Sequence, residues 1–201
     1  MIELPKTIRP ARIDEVPNDA KTLEKLQKID HANLIEGYTL RLIDQNNESH
    51  TAAPYSFYSE ININNSRLWN MITALAELLP DPLFLILTYS EAEPDYCEIG
   101  DKNKLMAYLK KFKTELIADV FLEWGMVYQD KETLVELLIS DSKYVKFWGI
   151  NLLKFKSMMT NFNLHQIDNL EFIDEYPTIR TPLRSLDKST KDTMDLTYEI
   201  K

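Results

Sequence analysis

Cysteine occurs once in the 201 residues, at Cys97, glycine four times and histidine three times. A lone cysteine makes neither an internal disulfide nor a cysteine-based zinc framework, so a small stapled secreted fold is excluded and a reducing compartment, or simple indifference to redox, is expected. With only Gly37, Gly100, Gly125 and Gly149 there is no glycine-rich phosphate cradle, and GxSxG, HExxH and phosphate-loop patterns are missing. His31, His50 and His165 lie in unrelated segments with no second ligand three or four residues away. Each is expected at a surface or in a loop, and no metal or organic cofactor is expected. No stretch approaches the ~20 apolar residues of a membrane span. The prolines and charges of MIELPKTIRPARIDEVP stand where a signal peptide needs an apolar core, so a cytoplasmic protein is expected.

Positive charge is also scarce. Lys and Arg number 23 against 32 Asp and Glu, a formal net charge of -9. Nucleic-acid backbones and anionic lipid surfaces need clustered Lys and Arg, which argues against both as main partners and leaves a basic protein as the complementary one. What is present is ordinary for a globular chain: 44% hydrophobic and 27% charged residues, with a mean hydropathy of -0.31. One core of this size can bury roughly 70% of the surface an unfolded chain exposes. A single domain over residues 1–184 is expected, opening with an extended arm interrupted by Pro5, Pro10 and Pro17. Residues 185–201 read as a polar tail, mobile unless the alternating Met194, Leu196, Tyr198 and Ile200 add an edge strand.

The pattern centres on Asp119 to Gly149. Val120, Leu122, Trp124, Met126 and Tyr128 alternate onto one strand face, with Phe121, Glu123, Gly125, Val127 and Gln129 on the other. After a turn at Gln129-Asp130-Lys131, Thr133–Ile139 and the YVKFW run at Tyr144–Trp148 complete an antiparallel meander at the centre of a sheet. Further strands are expected at Tyr38–Ile43, Tyr55–Ile63, Leu83–Tyr89 and Leu170–Asp174. The third of these is apolar on both faces and therefore expected to be covered on both sides. Helical spacing appears at Ser66–Leu79, Lys102–Leu116 and Asn151–Phe162, with Ser66, Asp101 and Asn151 as caps, and more thinly after Asp19. The fold class is α+β: a mostly antiparallel sheet of five to seven strands with three to four helices packed on it.

The search for chemistry yields little. Cys97 has acidic neighbours that raise a thiol pKa, which disfavours a nucleophilic thiolate. Asp174 and Glu175 are adjacent on an extended chain and diverge. Trp69, Trp124 and Trp148 sit inside apolar patterns, as core or half-core residues do, rather than in an exposed ligand cage. One segment is distinctive in composition: EAEPDYCEIGD, Glu91 to Asp101, read as a loop. It places Glu91, Glu93, Asp95, Glu98 and Asp101 around Tyr96 with no basic residue. Such a run is commonly a solvated connection, yet the same composition suits a face that meets a basic protein patch. These six residues are the candidate protein-binding residues.

The runs FLEWGMVYQ, KYVKFW and LEFIDEYP, within Val120 to Pro177, give this half of the chain a texture that resembles bacterial immunity proteins encoded beside polymorphic toxins. The resemblance implies a cytoplasmic α+β protein that binds and neutralises a cognate toxin domain, commonly through an acidic face when the toxin is a basic nuclease. It assigns no individual residue. Two other classes stay open: a structural or scaffold subunit that oligomerises through strand edges, and an enzyme whose site is assembled from dispersed residues.

Overall fold

The computed structural model describes residues 1–43, 54–89 and 93–201. Its proline-interrupted amino terminus is extended, and β1 (Ile8–Pro10) pairs antiparallel with β10 (Thr178–Arg180) in a ribbon separate from the main sheet. A proline is tolerated at such an edge because no ladder needs its missing N–H. The arm is tied down by Ile8, which is buried with Ile29, Leu34, Val120, Ile173 and Tyr176, and by the Thr7 hydroxyl, which donates to the Ala118 carbonyl. Helix α1 (Ala20–Lys28) begins where Asp19 accepts the Thr22 N–H at 3.0 Å. It buries none of its own residues, as its thin apolar stripe foreshadows.

Eight strands of the described residues form one sheet in the order β2-β4-β9-β8-β7-β5-β6, with β3 also on β4, and every neighbouring pair is antiparallel. The expected meander is its centre: β7 (Leu122–Gln129), β8 (Leu134–Ile139) and β9 (Val145–Gly149). Next to β9 runs β4 (Phe57–Asn62). The strand expected over Tyr38–Ile43 is split into β2 (Gly37–Tyr38) and β3 (Arg41–Leu42). Between them the Thr39 N–H still donates to the Glu60 carbonyl at 2.9 Å, but the Glu60 N–H goes to the Thr39 hydroxyl at 3.2 Å and the Thr39 carbonyl accepts the Ser59 hydroxyl at 2.6 Å, so side chains take over part of the ladder there. On the other flank lie β5 (Leu83–Tyr89) and the edge strand β6 (Asp95–Ile99).

Helices cover one face. The segment expected as a helix from Ser66 is α2 (Asn65–Ala76). Ser66 lies inside it and gives its hydroxyl to Glu3 at 2.5 Å instead of capping. The Lys102–Leu116 helix is broken into α3 (Lys102–Leu109), a 3-10 turn at Lys110–Phe112 and α4 (Lys113–Ala118). Asp101 caps α3 through the Lys104 N–H, and Asn151 caps α5 (Leu152–Asn161) through the Lys154 N–H, both at 3.0 Å. The core joins Leu68, Ile72, Leu75, Leu105, Leu116, Phe155 and Met159 of these helices to Phe57, Ile61, Leu85, Trp124, Leu137 and Phe147 of the sheet.

Three expectations need correction. Leu170–Asp174 is not a strand: the chain makes a 3-10 turn at Ile173–Glu175, where Glu175 folds back to accept the Phe172 N–H at 2.8 Å. Residues 185–201 add no edge strand but carry the end of one helix and the whole of a second. After the short α6 (Leu183–Leu186), α7 (Thr193–Ile200) is capped by Asp192 and buries Leu196 and Ile200, while Met194 and Tyr198 stay exposed. The four-residue spacing of the buried pair is helical, and the alternation also present in the segment is incidental. Finally, β5 is buried through Leu83, Leu85 and Leu87 but only partly covered at Phe84 and Thr88 on its other face.

Gly125 sits where β7 and β8 approach closely. A Cβ there would lie 2.5 Å from the Leu137 carbonyl oxygen and 3.0 Å from the Leu138 Cα. Because those atoms are backbone, the strands themselves would have to part. Gly125→Ala is therefore expected to lower stability by about 1–3 kcal/mol, measured by urea denaturation; a neutral substitution would contradict this register.

Candidate protein-binding face

Side chains of directly paired residues share a sheet face. On the face turned away from the helices, the registers assemble two rows that cross the sheet. One runs Arg41, Tyr58, Trp148, Glu136, Val127, Phe84, Glu98. The other runs Glu60, Lys146, Leu138, Gly125, Ile86, Tyr96. None of these residues belongs to the apolar clusters that hold helices or the terminal segments to the sheet. Among the described residues, no helix covers these rows. Beyond them the face is closed by the carboxy-terminal segment, where the Tyr144 ring lies 4.5 Å from Phe172 and its hydroxyl donates to Asp174 at 3.1 Å.

The two rows are half-buried rather than solvated, although no helix among the described residues lies over them. Tyr58, Phe84, Leu138 and Trp148 are each partly covered, and Ile86 and Val127 are buried. Trp148 and Tyr58 meet at 4.7 Å between ring centroids. At the β6 side, Phe84, Tyr96, Val127, Gln129, Asp130 and Lys131 border an open cleft of about 510 Å³. Tyr96 is 64% exposed at its rim. An aromatic and aliphatic floor with an exposed tyrosine is the composition of an interface core rather than of an ordinary solvent face.

The charges on this surface are incompletely matched. Glu136 and Glu123, the latter beside Thr88 in the next row, have no hydrogen-bond or ion-pair partner among the described residues. Burial, and then the neighbouring Glu123 charge, push the Glu136 carboxyl above its ordinary range, with Lys146 pulling it back. Burial likewise raises Glu123, opposed mainly by Lys146. Lys146 itself lies 5.4 Å over the Tyr144 ring. Among the described residues of the two rows, with Glu123 beside them, four carboxylates, Glu60, Glu98, Glu123 and Glu136, stand with two cations, Arg41 and Lys146.

The sequence-nominated residues divide. Glu91 lies outside the described residues. The rest of the segment is no loop at residues 95–99: β6 hydrogen-bonds to β5, because Cys97 alternates with polar neighbours and packs its half-buried thiol against the core. Alternation then separates the acids. Tyr96 and Glu98 project onto the open face, whereas Asp95 pairs with Leu87 on the helix side and forms an ion pair with Lys201. Asp101 is occupied as the α3 cap, and Glu93 is exposed before the strand. The structure therefore brings together Tyr96 and Glu98 with residues not nominated from sequence: Phe84, Val127, Glu136, Trp148 and Tyr58. Their signal was visible only strand by strand, as a glutamate interrupting the apolar run of TLVELLIS.

Of the histidines, His31 and His165 are exposed, and His50 lies outside the described residues. Among the described residues no group of three His, Cys, Asp or Glu side chains is arranged to hold a metal ion, and no helix is long and apolar enough to cross a membrane. The chain matches no family model, no curated protein and no solved structure.

Proposed function

We propose that this is a non-enzymatic binding protein of the immunity type, which captures and neutralises a basic protein, a toxin domain being the partner its texture suggests. The observation that carries the reading is the sheet face that no helix covers among the described residues, where an apolar floor surrounds Glu123 and Glu136, which have no hydrogen-bond or ion-pair partner among those residues. Exposed charges would sit more cheaply on a fully solvated surface; half-buried ones without a partner favour a cation brought by another molecule. Complementary charge would speed encounter and reject wrong partners more than it adds affinity. Tyr96 and Glu98 place the edge of that surface on β6.

Affinity capture from the native host, followed by mass spectrometry, tests this reading. The expected result is a stoichiometric basic protein whose association slows several-fold, with a weaker salt dependence, in a Tyr96→Ala/Glu98→Lys variant. Both positions are exposed, so stability should stay within about 0.5 kcal/mol. A partner that binds the double variant at an unchanged rate would move the contact to another face. Self-assembly in place of a partner would favour a scaffold subunit.

A further inference from the structure

We infer that the corner formed by Glu136 and Trp148 receives an arginine side chain of the basic partner. This deepens the binding reading above and rests on it. The two residues are directly paired across β8 and β9, so their Cβ atoms stand roughly 5 Å apart on one face. Tyr58 continues the row and packs its ring against Trp148 at 4.7 Å, which supports one side of the indole while the side chain stays partly exposed. A flat cation lying on that indole has a carboxylate at its edge.

The occupant is defined by what the corner lacks and by its shape. Among the described residues Glu136 accepts no hydrogen bond, and Lys146, whose charge acts on it, makes no ion pair with it and instead lies over Tyr144. A carboxylate beside a second one, Glu123, in apolar surroundings is stabilised in its charged form by a positive group brought to it. A divalent metal would require several oxygen ligands, and the surrounding Trp148, Leu138 and Val127 supply none. A lysine ammonium would satisfy the charge but is compact and strongly hydrated. A guanidinium is planar and weakly hydrated, and it can stack on the indole while directing two N–H groups at the Glu136 oxygens.

The test uses the intact protein with indole-labelled tryptophan and two probes of equal charge, an arginine-rich and a lysine-rich nonapeptide, at near-physiological salt. Trp69 and Trp124 are buried, so their resonances report that the fold is intact while Trp148 reports binding. The arginine peptide is expected to move the Trp148 signal and to bind several-fold more tightly than the lysine peptide. Glu136→Gln, which preserves shape, should weaken it about tenfold, the loss expected for a hydrogen bond to a charged group. Glu24→Gln on α1 removes the same charge at an exposed site and should change affinity less than twofold. If arginine peptide binds but Glu136→Gln and Trp148→Phe leave its affinity unchanged, the corner is not the receptor and the broader reading of a basic partner survives. If neither peptide binds, both readings fall.

Discussion

Replacing Trp124 by alanine is expected to destabilise the protein by about 3–5 kcal/mol, the range for truncating a large buried aromatic. The indole is fully buried in the middle of β7. It stacks against Trp69 of α2 with 6.4 Å between centroids, and its Nε1 donates to the Leu116 carbonyl of α4 at 2.9 Å. One side chain therefore fastens two helices to the sheet. Trp124→Phe should cost less, because it keeps much of the volume and loses chiefly the donor to Leu116. Urea unfolding followed by circular dichroism would measure both. A loss below about 1 kcal/mol for the alanine variant would mean that the site collapses around the gap rather than holding a cavity.

A second large effect is expected from Lys143, and its sign is opposite to that of an ordinary ion pair. The side chain is 3% exposed, in a turn residue with φ of 66°, and its ammonium donates to the Leu122 carbonyl at 2.6 Å. Burial lowers its pKa from 10.5 to about 8, while Asp119, Asp141 and Glu123 raise it and Arg180 opposes them. Because the folded value lies below the unfolded one, the protonated lysine penalises the fold throughout the range below about pH 8. That penalty is relieved as pH climbs toward 10.5, where the unfolded chain also loses the proton. Stability should therefore rise by about 2 kcal/mol between about pH 7.5 and 9.5.

Tyrosines work against the lysine at the upper end. Burial raises Tyr58, Tyr144 and Tyr176 in the folded protein, so the unfolded chain ionises them first and stability falls as pH passes about 10. The comparison with Lys143→Met separates the two. The variant keeps the stem but carries no charge, and the alkaline gain should vanish. A wild-type protein that is flat or losing stability over the same window would show that water or a rearranged Asp119 keeps the ammonium solvated.

Much of this architecture was legible from side-chain periodicity. The meander from Leu122 to Gly149 announces itself because each strand keeps its apolar set on one face, and Asp101, Asn151 and Asp19 mark helix starts because short polar side chains satisfy first-turn N–H groups. Elements whose pairing lies outside the local window were not. β6 was hidden because acidic residues occupy two of its five positions, Asp95 and Glu98, and propensity argues against a strand there, yet β5 supplies the hydrogen bonds that override propensity. α7 carries an alternating pattern and a helical one at once, and only burial against the core decides between them. The candidate face was illegible for a stronger reason. Glu136, Trp148 and Tyr58 are ordinary half-exposed strand positions taken singly, and strand order and register make them neighbours.

The ribbon between β1 and β10 also bears on the order in which the chain acquires its structure. Ile8 emerges from the ribosome long before its partner Arg180, which lies about 170 residues downstream, a gap of roughly 10–30 s at ordinary rates of synthesis. Through that interval the first strand has no hydrogen-bonding mate, and Ile8 lacks Ile173 and Tyr176 to pack against until nearly its end. The meander, built from contacts between consecutive strands, has its own partners at hand well before then. Nascent chains halted between Gly149 and Thr178 should accordingly hold a protease-resistant sheet behind an amino-terminal arm that is still cleavable, and release past Arg180 should protect both together.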